Sequence, residues 1–548
     1  MSEYSGPRQA REGDEKDPGA ATLYWGRNGL SLALEDVPRV SVSTLRDTCV
    51  DLCSRGSRLV ALCALPPLCN ASDSPHAMED RARDDQASAG RAHCERAQGT
   101  EILAVLADDA EGRLGFVRAD VGAKRAYPAL TPDLPQAQAF ERELFESHGI
   151  RPLGHPWLKP LRRHAAVESP APGSFSAGPR YPFLEVRGEG IHEVAVGPVH
   201  AGIIEPGHFR FQCHGERVLS LEIQHGYQHR GAAALLLQSS PARRLVIAES
   251  IAGDTAVGHA TAYCTAMEAL AEASLPFAAK MLRGIALELE RLANHIGDLG
   301  ALCGDVAYLA GASVFGRLRG NFLNMLMEIS GNRHGRGLLM LGGVRAGFDA
   351  SIREELLNRI TKDEIEFKKM AVLMFNAPSV LARFEHTGIV KRETAQDLGL
   401  VGPVARASGL ARDVRHDHPT GLYRFAHIPV AESSSGDVMA RAVIRWIEAQ
   451  RSLLFVQERL RELTETAQGT EIGSYRAGRL VVSLVEGWRG EIAHVAMTDA
   501  HGELCGYKIV DPSFHNWFGL AMAVRGNEIS DFPVCNKSFN LSYAGHDL

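Results

Sequence analysis

Thiolates are the first groups to look for in a chain that could do redox chemistry. Soft sulfur ligands hold transition metals, and a Cys-x-x-Cys pair presents two at once. Ten cysteines are present, at Cys49, Cys53, Cys63, Cys69, Cys94, Cys213, Cys264, Cys303, Cys505 and Cys535, and no two are separated by two residues. The string Glu249-Ser250-Ile251-Ala252-Gly253-Asp254-Thr255-Ala256-Val257-Gly258-His259 carries acids, hydroxyls and an imidazole but no sulfur. Glu290, Arg291 and His295 fall at one- and four-residue steps along a helix, which predicts a buried ion-pair network rather than catalysis. Arg406, Arg412, Asp413, Arg415, Asp417 and His418 form a charged stretch that reads as a solvated surface, or as a face toward a partner. Dinucleotide-fold and P-loop glycine patterns are absent, so direct nucleotide binding has no support.

The elements that must position these residues divide near residue 180. A chain of 548 residues, 45% hydrophobic and 23% charged, can bury two or three ordinary globular cores. A net charge of -7 gives no case for nucleic-acid binding. Scattered cysteines fit a reducing cytosol, the polar start Met1–Lys16 resembles neither a secretory nor a transit peptide, and no apolar run is long enough to span a membrane. Residues 1–21 are expected to be a disordered tail and 22–165 an α+β domain with a flexible insert over 69–100. A linker over 166–182 contains Ser169-Pro170-Ala171-Pro172-Gly173-Ser174. A mainly α domain, a helix-bundle core with small β elements, fills 183–548. Val40–Leu45 and Gly115–Asp120 alternate like half-buried strands, and Leu59–Leu65 reads as a buried one. Phe140–Ile150 reads as a short helix with a glycine cap. Leu282, Ile285, Leu289, Leu292, Ile296 and Leu299 mark a long amphipathic helix after Pro276, and 352–373 and 436–466 read as two more.

Several strings in the second domain carry a resemblance when taken in order. They are Gly197-Pro198-Val199-His200, Glu205-Pro206-Gly207-His208-Phe209, Gly226-Tyr227-Gln228-His229-Arg230-Gly231, Glu290-Arg291-Leu292, Gly342-Gly343-Val344-Arg345 and Val401-Gly402-Pro403-Val404-Ala405-Arg406-Ala407-Ser408-Gly409. Together they resemble the superfamily of the large subunits of membrane-associated nickel–iron hydrogenases, of the formate-hydrogenlyase type, and the quinone-site large subunit of respiratory complex I. The first domain, through Phe140 to Pro156, is similar to the small accessory subunit of complex I. Fusion of the two in one chain is the arrangement of the hydrogenlyase-type proteins.

The resemblance implies a hydrogenase-large-subunit-like fold and four cysteine ligands, one Cys-x-x-Cys pair near the start of the domain and one near its end. At the first pair stand Ala252 and Thr255, with Glu249, Ile251, Gly253 and His259 keeping the frame and Ser250 replacing an arginine. Asp511-Pro512-Ser513-Phe514-His515-Asn516 looks like the second pair with both cysteines replaced. However, Asn516-Trp517 and Arg525-Gly526-Asn527 match a segment upstream of that pair, which puts the thiolate positions at Ser542 and Gly545. No nickel–iron centre is expected on either register, nor the C-terminal extension with which metal-bearing members are made. His259, His546 and Asp547 are the ligand-type residues near the vacated positions, and structural hydrogen bonding is the preferred reading for them. Glu205 matches a glutamate that sits near magnesium in hydrogenases, with pairing to Arg210 or Arg230 preferred.

In the complex I branch the vacated cavity holds a quinone headgroup between a histidine and a tyrosine. His200 matches the histidine, Ile251 stands where the tyrosine would be, and Asp305 matches an acid coupled to ring protonation. His200 and His259 are therefore the candidate cofactor contacts, with His200 and Asp305 as the candidate catalytic pair. The resemblance implies a metal-free large subunit of an NADH-quinone oxidoreductase or hydrogenase-like complex, with no covalent cofactor. It would take electrons from an iron–sulfur small subunit, reduce a quinone, and sit with antiporter-like membrane subunits on the cytoplasmic inner face of the cell membrane. The alternative is a non-redox structural or coupling subunit, and an active hydrogenase is the least expected reading.

Overall fold

The computed structural model describes residues 23–66, 100–162, 181–200, 204–345, 350–463 and 469–548. The expected tail, nearly all of the 69–100 insert and the Ser169–Ser174 string lie outside them. The chain is a mixture of helices and several small, mostly antiparallel sheets. The first sheet orders Tyr24–Gly26, Arg113–Asp120, Glu101–Asp108 and Arg58–Ala64 as an antiparallel set. The strands read at Leu59–Leu65 and Gly115–Asp120 are thus present. The helix read at Phe140–Ile150 is Gln138–His148, closed by Gly149 at φ 64.

Val40–Leu45 is a correction. Only Arg39–Val40 pairs as strand, and a helix, Val42–Ser54, starts immediately after it. Ser41 is its N-cap, accepting from the Thr44 N–H at 3.1 Å. Leu45, Cys49 and Cys53 then enter the core at four-residue steps. The serines that resemble one side of a pleat are the polar residues of a capped first turn.

A second sheet joins the two ends of the chain. Leu504–Val510, Gly490–Thr498 and Arg479–Gly487 pair in sequence, and Ser31–Ala33 adds to the last of these. Its strands are buried on both faces, so alternate residues serve different cores. Leu480, Val482, Leu484, Ala493, Val495 and Met497 pack with the first sheet. Val481, Val485, Ile492, Ala496 and Ile509 pack with the helices. His494, between Ala493 and Val495, is therefore on the helix side.

The helical core is built on Phe277–Asp305, 29 residues and about 43 Å long. Its predicted apolar stripe is at most 1% exposed throughout. Leu309–Ser330, Val438–Glu462 and Phe532–Phe539 pack on it, and Ala350–Phe375 packs on the first two of these. The expected helices at 352–373 and 436–466 are present, slightly longer and shorter respectively. The polar face of Phe277–Asp305 is buried too. His295 Nε2 meets Glu448 at 2.9 Å, and Arg291 pairs with Glu288 at 3.2 Å and Glu448 at 3.5 Å. The ion-pair network read for this helix therefore exists, although Glu290 has another task.

The charged stretch 406–418 is a second correction, because Arg406, Asp413, Arg415 and His418 are buried. Arg406 binds Glu448 at 2.7 Å and Glu486 at 2.8 Å, and Arg415 binds Asp413 at 2.7 Å and Glu288 at 3.2 Å. Glu288, Glu448 and Glu486, its compensating acids, lie far away in sequence, so local reading sees only an apparent surface.

Packing between the first domain and the C-terminal region generates a pH test. His515 lies buried on the helix Pro512–Val524, edge-on to Phe140 with centroids 5.6 Å apart. Burial pushes its imidazole down to about 4 from 6.5. The unfolded chain gains this proton near pH 6.5, while the folded chain resists it until about pH 4. Stability from this group is therefore full above 6.5 and falls by roughly 3 kcal/mol on acidification to pH 4. In chemical denaturation, wild type should lose roughly 3 kcal/mol more than His515→Gln between pH 7 and pH 4. Equal losses would remove His515 from the acid response.

Candidate functional site

The first vacated pair sits in a turn held from three sides. Helix Ala256–Leu270 starts directly after Thr255, and Glu290 of the long helix accepts its Val257 and Gly258 N–H groups at 2.7 and 3.1 Å. Burial raises the Glu290 carboxyl to about 8 against the pull of these donors. Ala252 is fully buried. The Thr255 hydroxyl donates to Asp254 at 3.0 Å and accepts from Trp488 Nε1 at 3.1 Å. Arg489 clamps Asp254 with two bonds of 2.6 and 2.7 Å and reaches the Asn540 carbonyl at 2.5 Å. Arg230 donates to the carbonyls of Ser250, Ile251 and Ala544 at 2.6, 2.7 and 3.2 Å. Two guanidiniums thus tie the first turn to the C-terminal segment.

Ser542 and Gly545 lie in that segment, on the short helix Tyr543–Asp547. Ser542 is its N-cap, accepting from the Gly545 N–H at 2.9 Å. Ser513 of the competing register accepts from the Ser542 N–H at 2.9 Å, so the two candidate strings meet. A Cβ added at Gly545 would stand 2.5 Å from Asp511 Cγ. The space above this position is filled by a carboxylate.

Asp511 is fixed from both ends. Its Oδ1 accepts from the Ser513 N–H at 2.8 Å, capping the helix Pro512–Val524, and its Oδ2 meets His259 Nε2 at 3.1 Å. His259 Nδ1 meets His494 Nε2 at 3.1 Å, and His494 Nδ1 meets the Tyr507 hydroxyl at 2.7 Å. All four residues are buried. An ionised carboxylate only accepts, which fixes the direction of the chain. Tyr507 donates to His494, His494 to His259, and His259 to Asp511. Burial drives His494 well below the usual imidazole range and Tyr507 well above the usual phenol range. Burial alone would raise Asp511, but the hydrogen bonds from His259 and Ser513 and the Arg489 guanidinium outweigh it and hold the carboxyl low.

The remaining site residues lie apart from this chain. His200 is half-buried, with Nε2 3.0 Å from the Gly207 carbonyl and its ring 6.0 Å from that of Phe209, and Val199 beside it is 90% exposed. Glu205 spends Oε2 on the Tyr543 and Ala544 N–H groups at 3.1 and 3.3 Å. Arg210 pairs with Glu193 instead, so neither guanidinium takes Glu205 in a salt bridge among the described residues. Asp305 is exposed at the end of its helix and forms no hydrogen bond with His200 or His259. Ile251 is fully buried, and the buried Tyr263 hydroxyl has no hydrogen-bond partner.

These residues do not fit a nickel–iron centre, because the four vacated positions carry no sulfur and Asp511 blocks one of them. They fit a magnesium ion at Glu205 poorly, because the oxygen facing the C-terminal helix is already used twice. Sequence reading named His259 but missed His494, Tyr507 and the true task of Asp511. A single signal was available, a lone histidine in an otherwise apolar strand.

The clash at Gly545 is testable. Gly545→Ala forces its methyl against a carboxylate that cannot swing away, which should cost about 1–3 kcal/mol. Asp511→Ala removes the obstacle, so the double variant should be more stable than the summed single losses imply, by about 0.5–3 kcal/mol. Simple additivity in urea unfolding would contradict the contact.

Known proteins share this frame. Residues 305–479 match the family described as respiratory-chain NADH dehydrogenase, 49 Kd subunit. Formate hydrogenlyase subunit 5 of Escherichia coli (strain K12) is 30% identical over 449 residues, 79% of each chain. The carbon monoxide-induced hydrogenase of Rhodospirillum rubrum is 28% identical over 64% of this chain and 97% of its own. In fold, the chain is similar to a chain in the membrane-bound sulfane sulfur reductase, an archaeal respiratory membrane complex, at a TM-score of 0.61 and 20% identity. That match covers 65% of this chain and 98% of the other. The order of the motifs, the paired turns and these likenesses agree: the chain belongs to the superfamily of nickel–iron hydrogenase and respiratory complex I large subunits.

Proposed function

We propose that this protein is a metal-free large subunit of a membrane-associated oxidoreductase complex. It receives electrons from an iron–sulfur small subunit and passes them to a quinone beside His200. The carrying observation is the occupied ligand site. The chain keeps the family frame, and the carboxylate of Asp511, held by His259, stands against Gly545, one of the four positions that carry no sulfur, which leaves thiolate-bound nickel without ligands in this reading. His200 takes no part in the Asp511–His259–His494–Tyr507 relay and lies on a partly exposed loop, hydrogen-bonded to the Gly207 carbonyl and beside Phe209.

Quinone reduction there consumes two electrons from the partner's cluster and two protons, giving a quinol. An imidazole N–H at His200 suits a carbonyl oxygen of the ring and can supply one proton. Because no helix among the described residues is long and apolar enough to cross a membrane, attachment falls to partner subunits of the antiporter-like kind, with this chain peripheral on the cytoplasmic face.

A second reading, a non-redox coupling subunit, is favoured by two observations. Ile251 replaces the second ring donor, and Asp305 is not brought to His200. Both readings are tested on the complex purified through its iron–sulfur small subunit. With the cluster chemically reduced, the redox reading predicts reduction of a short-chain ubiquinone, lowered roughly 100-fold in His200→Ala. No activity in the wild-type complex selects the coupling reading. Activity unchanged in His200→Ala removes His200 from the site, and failure to bind a small subunit overturns both.

A further inference from the structure

The C-terminal helix carries a second cluster of ligand-type side chains, distinct from the erased thiolates. We propose that His225, His546 and Asp547 form a binding site for one divalent transition-metal ion of the zinc class, clasping the C-terminal helix to the Gly226–Gly231 loop. One nitrogen or oxygen from each residue lies within 4.8 Å of the others. The three side chains are 8, 2 and 0% exposed, so the cluster is interior rather than a surface gathering of charge.

The ligands are oriented before any ion arrives. His546 Nδ1 lies 2.9 Å from Asp547 Oδ1, and a carboxylate there makes Nδ1 the donor and leaves Nε2 its lone pair. Metal-bound histidines are commonly fixed in this way by a carboxylate on the other ring nitrogen. Asp547 Oδ2 accepts from the Gln228 N–H at 2.9 Å, and His229 Nδ1 donates to the Asp547 carbonyl at 2.7 Å. The rings of His225 and His546 lie with centroids 4.0 Å apart, packed by Trp517 on one and Phe514 on the other.

His225 supplies the independent observation. Its Nδ1 is buried and has no hydrogen-bond partner among the described residues. A buried imidazole nitrogen left empty beside a second imidazole and a carboxylate is a polar group with its partner missing. Burial holds both histidines below the usual imidazole range, and the His546 and Gln228 hydrogen bonds help hold Asp547 low.

Two imidazoles and a carboxylate match the donor set of a three-ligand zinc site with one open position. Binding would draw the ligand atoms together by roughly 1 Å to reach zinc bond lengths near 2.0 Å. Two cations bear on the histidines, Arg162 and Arg142. Arg162 donates to the His546 carbonyl at 2.7 Å and is paired with Glu143 at 2.6 Å, and Arg142 donates to the Lys159 and Pro160 carbonyls at 2.9 and 2.6 Å.

The test uses full-length protein stripped with a chelator. Titration with Zn2+ against a chromophoric competitor should show one tight site per chain. Co2+ should give the visible absorption of a four- or five-coordinate ion. His225→Gln and Asp547→Asn should each weaken Zn2+ more than tenfold and abolish the Co2+ bands. Zn2+ should also raise the thermal midpoint of wild type but not of His225→Gln, a readout that holds if one variant is less stable. No stoichiometric Zn2+ in wild type, or Zn2+ and Co2+ behaviour unchanged in both variants, overturns the site.

Discussion

The carboxylate of Asp511 is the constraint on which the rest of the site depends. It caps one helix, receives the end of a buried hydrogen-bond chain and fills the volume above Gly545. Each task needs the others. The cap fixes the carboxylate's position, the cap and His259 together hold its charge in the interior, and the glycine leaves room for it. An unpaired buried carboxylate is costly, which explains why it is bonded both to the neighbouring Ser513 N–H and to His259, far away in sequence. The carboxylate thus belongs to a buried, hydrogen-bonded polar core.

The two-faced sheet makes this possible. Strands Arg479–Gly487 and Gly490–Thr498 present one set of side chains to the N-terminal core and the alternate set to the helices. Period two alone then sends His494 toward His259. The long helix does the same for charge, with its apolar stripe in the bundle and its polar face paired with Glu448 and Arg415 and hydrogen-bonded to the Glu486 carbonyl. Arg230 and Arg489 complete the arrangement by holding the first turn against the C-terminal one. The two turns are joined here by guanidinium–carbonyl and guanidinium–carboxylate contacts.

Local sequence order made much of this legible. The long helix, the strand at 58–64 and the glycine-capped helix at 138–148 follow from periodicity and caps, because short-range rules govern them. The order of the motifs led to the superfamily. What stayed hidden depends on partners distant in sequence. Arg406 and Arg415 look solvated until Glu288, Glu448 and Glu486 are placed beside them. The serines of 41–43 look like a pleat until the cap bond to Thr44 is seen. His494 and Tyr507 carry no motif, and only the sheet register brings them to His259. His225 belongs with His546 only because the chain's last helix returns to its loop.

The central claim is that the chain's own side chains occupy the former metal position. The direct measurement is a diffraction map of the complex, with anomalous data collected at the nickel edge. The account predicts Asp511 density bonded to His259 and no anomalous peak between the 252–255 turn and Ser542–Gly545. A nickel peak between those turns, with Asp511 rotated away from His259, would contradict it.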